Sequence, residues 1–402
     1  MTQLSTMTMV AGTTADGHFE SGLANAHKRS ANKFYATVND SDDTFNNNNN
    51  NEGKSQLNSI SDQSEYDPKD KEVAEEEEEY EYLGIKFKQP LKVINAVSII
   101  GFHLVSLYAF LVNFRSPHFF TVAWAFIVGG IGGFGVTAGA HRHWSHKAYK
   151  AKTPLRVILA LCFSVAGQNT IFDWTRDHRV HHKFSETDAD PHNSNRGFFF
   201  AHVGWLMMKK HPDVIRKGNQ VDMSDILADP VVQWHQKYFV PLKLLLCFVL
   251  PTITPVYMWN EEWIISIFTL SFIRYVFALN FTWLVNSAAH MWGNKPYDRK
   301  INPSENLTVS LVSMGEGWHN YHHTFPWDYK AAEFGDFRYN ITTSILRLFA
   351  KIGWAYDLKE PSQELIRKTI ARNGDGSHHE HGHRSMPDEI PMEADENSNL
   401  VE

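Results

Sequence analysis

Phe119–His146 reads FFTVAWAFIVGGIGGFGVTAGAHRHWSH, and the fold is decided by how its two parts join. The 22 residues Phe119–Ala140 carry no charge, and that is about the length a helix needs to cross a hydrocarbon core of ~30 Å. The last six, His141–His146, hold three histidines and an arginine. An apolar span therefore runs straight into an imidazole-rich end. Three other stretches, about Leu91–Val112, Tyr238–Met258 and Trp263–Asn286, match it in length and apolarity. Pro251 and Pro255 predict a kink or break late in the third. Leu155–Gly167, LRVILALCFSVAG, is too short to span and is expected as an interfacial or buried amphipathic helix.

The links between spans sort by charge. NFRSPHF, between the first two, holds only Arg115, and WNEE, between the last two, has neither Lys nor Arg. The segment between spans two and three is rich in both. The positive-inside rule then puts both termini and the central segment in the cytosol. The resulting fold class is an all-α integral membrane protein: four transmembrane helices in two hairpins, with a cytosolic helical cap.

The whole chain has 402 residues, a net charge of −7, 22 histidines and two cysteines. Residues 1–85 are polar, with an asparagine run at Asn46–Asn51 and an acidic run at Glu75–Glu79. They lack the apolar surface that would offset ordering entropy and are expected to be a disordered tail. Residues 86–357 form the membrane domain with its cap, and 358–402 a polar C-terminal tail. The N-terminus has no basic start followed by an apolar core, so no signal peptide is expected. Two cysteines, Cys162 and Cys247, both in apolar runs, exclude a disulfide framework and are expected as buried thiols.

Three histidine clusters reach the same expected face: HRHWSH (His141–His146), HRVHH (His178–His182) and HNYHH (His319–His323). The latter two share the spacing HxxHH, which gathers rings on one side of a helix. Asn286 and His290 add an i, i+4 pair at the end of span four. Crowded imidazoles repel when protonated and need partners when buried. His141 and His146, spaced HxxxxH, with the six histidines of the two HxxHH clusters and His290 make nine, which exceed the ligand set of one tetrahedral zinc and suit two metal ions with four or five ligands each. Ligand type does not choose the metal; a redox-active pair beside apolar spans suggests oxygen chemistry on a lipid-like chain, and iron is the choice. His103, His118, His202 and His235 are read as ordinary satisfied polar residues. HHEHGH (His378–His383) is read as part of a solvated tail, and NLT at Asn306 as a glycosylation acceptor on the wrong side of the membrane. Arg274, inside span four, requires a partner or a polar cavity.

GAHRHWSH, DHRVHHKFSETDADPHNSNRGFFFAHVGW, NSAAHMWGNKPYD and GEGWHNYHHTFPWDY closely resemble the membrane acyl-CoA desaturase family, the stearoyl-CoA desaturase type, in an insect-like style. The likeness covers about Gln89 to Asp357. It implies insertion of a cis double bond into a saturated fatty acyl-CoA, delta-9 first among positions, in unsaturated fatty acid biosynthesis. It implies a di-iron centre, O2, and electrons from cytochrome b5 and its NAD(P)H-dependent reductase. With no heme motif in the chain, the donor is expected to be a separate protein. The metal ligands implied are His141, His146, His178, His181, His182, His290, His319, His322 and His323, with Asn286 approaching one iron through a water. His143 stands where the family usually has leucine and is read as outside the ligand set.

The same resemblance implies a bent acyl tunnel between the spans and coenzyme A on the cytosolic surface. Asn95, Asn169, Arg176, Asp177, Lys209 and Lys210 would contact coenzyme A, and Gln168, Trp174, Thr282 and Trp283 would form the bend. No catalytic residue beyond the metal site is implied. Endoplasmic reticulum membrane is the expected location, and lipid but no nucleic acid the expected company. A lipid hydroxylase would share the clusters and the oxidant, and a metal transporter would place its ligands at mid-depth in the spans. The glycine-rich GGIGGFG (Gly129–Gly135) is expected to leave the tunnel floor open, with bulk at Gly132 limiting chain length.

Overall fold

The computed structural model describes residues 80–82, 85–87, 89–113, 117–334 and 340–378. Four helices are long and apolar enough to cross a membrane: span one Val93–Val112, span two Phe119–Ser145, span three Phe239–Trp259 and span four Trp263–Met291. Their large side chains point outward. Leu111, Phe126 and Tyr257 each expose at least 70% of their surface, an arrangement that water would penalise and lipid would not. Glu261, buried in the link between spans three and four, accepts hydrogen bonds from Thr121 Oγ1 and the His118 backbone. The two short links are thereby tied to each other, at the opposite end of the spans from the histidines.

Spans two and four run further than hydropathy suggests. Gly135–Ser145 winds as a π-helix continuing the α-helix Phe119–Phe134, so the first histidine cluster lies on the span itself. Span four bends at Ser287 and resumes as Ala288–Met291, which carries His290. Span three does not break at its prolines. A proline frees the carbonyl four residues earlier, and here both freed carbonyls are taken by side chains. Cys247 O, four before Pro251, accepts from Arg274 Nη2 at 2.6 Å; Pro251 O, four before Pro255, accepts from Trp124 Nε1 at 3.1 Å. The buried charge of Arg274 thus has its partner.

The chain between spans two and three begins with helices Thr153–Ala166 and Ile171–Phe184, bent 85° apart. Gly167 at φ 64° ends the first, and Thr170 caps the second by accepting from Asp173 N–H. Leu155, Leu159 and Phe163 are fully buried where the first helix packs on span two. Glycines make that approach possible. A Cβ at Gly135 would meet Phe163 N at 2.1 Å, and one at Gly132 would meet Ala166 N at 3.0 Å. Gly132 therefore both packs against the Ala166 backbone and lines a large apolar cavity, so bulk there would disturb the helix contact before it tested chain length. Gly129 and Gly130 face open space.

Three other expectations change. The strands Tyr80–Tyr82 and Ile85–Phe87 pair antiparallel, so the far end of the expected 1–85 tail is structured; residues 1–79 lie outside the described set. The segment after 357 is not simply tail. Ile366 and Ile370 of helix Gln363–Asn373 are buried against Tyr297, Tyr321 and Phe325, and His378 is buried 2.8 Å from Glu333; His379–His383 lie outside the described residues. Among the lone histidines, His103 and His202 share Asn280 as a partner, whereas buried His235 sits between Phe163 and Phe239 with neither ring nitrogen bonded.

Candidate metal centre

The nine histidines converge in two groups. His141, His146, His178, His182 and His322 form one, and His181, His290, His319 and His323 the other, each with its ligand atoms within 4.8 Å of one another. The two HxxHH helices split in opposite ways. His178 and His182 join the first group while His181 joins the second; His319 and His323 join the second while His322 joins the first. Residues i and i+4 lie about 40° apart around a helix axis and i+3 lies on their other side. Each helix thus gives two ligands to one group and one to the other. His141 and His146, five apart, would be about 140° apart on an α-helix. The π-helical winding closes that angle, and their ring centroids are 4.9 Å apart.

The nitrogens face one another at distances that suit a cation between them. His141–His322, His146–His178, His182–His322 and His290–His319 bring Nε2 atoms to 2.8–3.0 Å, His319–His323 to 3.1 Å and His181–His323 to 3.3 Å. A metal–imidazole bond of about 2.1 Å puts ligands at right angles about 3.0 Å apart. Carboxylates fix the tautomer from behind. Asp190 lies 2.9 Å from His181 Nδ1, Glu186 2.6 Å from His290 Nδ1 and Glu316 2.7 Å from His141 Nδ1. An ionised carboxylate only accepts, so those Nδ1 atoms hold the protons and leave lone pairs on the converging Nε2 atoms. One proton per ring cannot satisfy so many close Nε2 contacts. A metal at each group does.

Burial first, and then the neighbouring histidines, push His146, His178, His182, His319, His322 and His323 well below the usual histidine value. These six rings are therefore held in the neutral form that ligation requires. The unfolded chain takes up these protons near its ordinary pKa of about 6.5 while the folded one resists, so it binds more protons below that value and folding loses stability as pH falls. Metal-free protein should melt at progressively lower temperature between pH 7.5 and 5.5; a flat profile would contradict the desolvated cage.

Reading the sequence passed over several residues here. Glu186, Asp190 and Glu316 are the carboxylates just described. Buried Arg142 donates to Glu316 Oε1 through Nε at 3.0 Å and Nη2 at 2.7 Å. His192 packs against His181 with centroids 4.2 Å apart and ring planes tilted by 40°, and burial lowers its pKa to about 3. The acidic run SETDADPH beside the second cluster was the available signal. His143 stays outside both groups, its Nδ1 3.1 Å from Tyr149 O. Asn306 caps helix Leu307–Val312 by accepting from Val309 N–H.

Two cavities meet at the clusters. The larger, about 640 Å³, is mostly apolar and runs from His141, His178 and His319 along spans two and four to Val122, Pro117 and Phe110. The smaller, about 280 Å³, is lined by Asn95, Gln168, Asn169, Trp174, Asp177, Thr282, Trp283 and Asn286 among others. Gln168, Trp174, His178, Thr282 and Asn286 line both. Gln168 donates to Thr282 Oγ1 at 3.0 Å and accepts from Trp174 Nε1 at 2.9 Å, a hydrogen-bonded collar where the cavities join. Arg176, Lys209 and Lys210 do not line either one. Arg176 and Lys210 pair with Asp177 behind the smaller cavity, Lys210 Nζ at 2.7 Å, and Lys209 is exposed.

The fatty acid desaturase family model matches residues 117–334. An acyl-CoA Delta-9 desaturase of Acheta domesticus is 56% identical over 297 residues, 73% of this chain and 83% of the relative. An acyl-CoA Delta(11) desaturase of Spodoptera littoralis is 50% identical over 292 residues, 73% of this chain and 86% of the relative. Stearoyl-CoA desaturase 5 of Bos taurus is 53% identical over 275 residues, 68% of this chain and 82% of the relative.

Proposed function

The chain belongs to the fatty acid desaturase family, and from that premise we propose that it inserts a cis double bond into a saturated long-chain fatty acyl-CoA, at the delta-9 position. The observation that carries this reading is the apolar cavity of about 640 Å³ whose inner end is walled by His141, His178 and His319. A saturated chain offers no polar handle, so only the walls can fix which carbons lie beside the metals. Along span two, Val122 to His141 corresponds to on the order of 25 Å, room for a long chain laid end-on.

The protein is a multi-pass membrane enzyme. In the proposed arrangement its spans form two hairpins in the endoplasmic reticulum membrane, with both termini and the histidine-bearing cap in the cytosol. The cross-tied links around Glu261, at the other end from the histidines, support this. Iron would occupy both groups of histidines, with Asn286, which lines both cavities, approaching one iron through a water. Iron supplies the one-electron chemistry and O2 activation that oxidising unactivated methylenes requires, which redox-inert zinc lacks. Cytochrome b5 and its reductase would deliver the electrons.

The chain's own residues bind and orient. The Gln168–Thr282–Trp174 collar holds the acyl chain where it turns past the metals. Asn95, Asn169 and Asp177 would meet the coenzyme A end, with Arg176, Lys209 and Lys210 offering charge to its phosphates at the rim. The test is double-bond mapping by mass spectrometry in desaturase-deficient yeast expressing the chain. Delta-9 unsaturated chains are expected. Hydroxylated chains would mean that the same oxidant serves a hydroxylase.

Open space beside Gly129 makes it the position to probe for chain length. Gly129→Phe should shift the products of folded enzyme toward shorter acyl chains, whereas Gly132→Leu should lower the yield of folded protein by clashing with the Ala166 backbone. An unchanged chain-length profile in folded Gly129→Phe enzyme would remove the cavity's far end from the substrate path.

A further inference from the structure

Helix Ile341–Lys351 leaves an aliphatic stripe exposed on its outer face. Its inner face carries Thr342, Thr343 and Leu346, all fully buried, with Thr342 bonded to Thr137 of span two at 2.8 Å and Thr343 accepting from Arg142. Its outer face is largely aliphatic, with exposed Arg347 to one side. Ile341, Leu348 and Ile352 expose 39%, 59% and 54% of their surface, and Ile345 lies between them. At about 100° per residue the four fall within roughly 60° of one another, a single aliphatic stripe. Lys351 is exposed on the flank of that stripe.

The helix sits at membrane depth. Phe349 stacks on Phe134 of span two, centroids 6.1 Å apart. Phe134 is fifteen residues beyond Phe119, hence about 22 Å along a span that crosses ~30 Å of hydrocarbon. The next loop reaches the same level, since a Cβ on Gly133 would touch Met314 Sδ. Trp354 stacks on Phe349 with centroids 6.1 Å apart, and Tyr356 follows, half exposed. Aromatic rings and a lysine around an aliphatic stripe are the composition of a membrane interface.

We propose that helix Ile341–Lys351 lies in the plane of the bilayer on the side of the histidine clusters, with Ile341, Ile345, Leu348 and Ile352 seated among lipid acyl chains just below the headgroups. The occupant is lipid, because the stripe continues the apolar belt of span two at a depth where a soluble partner or a second cap would have to displace headgroups. Through Thr342 and Thr343 this contact bears directly on span two and Arg142. The proposal rests on the four spans crossing a membrane, and its test separates the two.

Leu348→Cys, Phe126→Cys and Lys368→Cys are introduced singly in a Cys162→Ala background, with buried Cys247 left in place. Each full-length, metal-loaded protein is labelled with bimane and reconstituted in nanodiscs. Quenching is then compared for lipids brominated near the headgroup, lipids brominated deep in the chain, and aqueous iodide. Position 348 should lose most of its emission to shallow bromolipid and little to iodide; position 368, on an exposed helix face, should do the reverse. Iodide quenching at 348 equal to that at 368 would overturn the proposal, and so would protection from both quenchers, which would mean that protein covers the stripe. Position 126 should be quenched by deep bromolipid; failure there would sink the spanning arrangement itself, whereas success at 126 with failure at 348 would sink only the interfacial helix.

Discussion

Replacing His181 with alanine should abolish unsaturated products in yeast and empty the second metal site. His181 is the one member of its helix that turns to the four-histidine group, with Nδ1 held by Asp190 at 2.9 Å and Nε2 3.3 Å from His323. Removing it leaves three imidazoles around that site and a buried carboxylate without its donor. The other five-histidine group is untouched in composition, so metal analysis of the purified variant should show about half the wild-type content, not zero. Asp190→Asn keeps the ring but loses the partner that fixes its tautomer, and a metal affinity 10- to 100-fold weaker is the expected scale. His143→Leu is the control from within a cluster. Its ring faces Tyr149 O, outside both groups, and it should keep metal and product. Full metal content and normal product in His181→Ala would dissolve the two-site assignment.

How much of this was readable beforehand follows from the range of each interaction. The spans were legible because hydropathy is local and cumulative. The HxxHH pairs were legible because α-helical spacing is fixed, although the crossing of the two sets, with His181 and His322 each defecting to the other group, is a tertiary fact. The pair His141 and His146 was grouped by count and not by geometry, since only a π-helix brings them together. Arg274 looked like an expensive buried charge until Pro251 was seen to free the carbonyl it binds. The glycines of span two looked alike in sequence, yet Gly132 and Gly135 admit a neighbouring helix while Gly129 and Gly130, in the same cavity wall as Gly132, have open space beside them. The C-terminal helix was missed because its two buried isoleucines are too few to mark it in a polar stretch, and their partners lie far away in the chain.

Arg142→Met should be the most damaging substitution that touches no ligand nitrogen. Arg142 is 1% exposed and donates to Glu316 Oε1, Tyr329 O, Thr343 Oγ1 and Asn340 Oδ1. Burial works to raise the Glu316 carboxyl, and it is Arg142, then His141, that carry it below the usual value. Methionine fills much of the volume but leaves a buried carboxylate with no guanidinium, a loss that typically costs about 3–5 kcal/mol. The carboxyl should answer by taking a proton at higher pH, after which it holds the His141 Nδ1 proton only as a weaker, neutral acceptor, and the five-histidine group should lose metal before the four-histidine group. Chemical or thermal unfolding would read the first effect and metal titration the second. The double variant Arg142→Met with Glu316→Gln separates them. With both charges gone, stability should largely return. Metal affinity at the first group should not, because a neutral amide, a weaker acceptor that can also turn its NH2 toward the ring, no longer fixes the His141 proton on Nδ1 as the carboxylate does. If the double variant recovered both, Arg142 would be a stabilising residue alone and the carboxylate behind His141 would have no part in holding the metal.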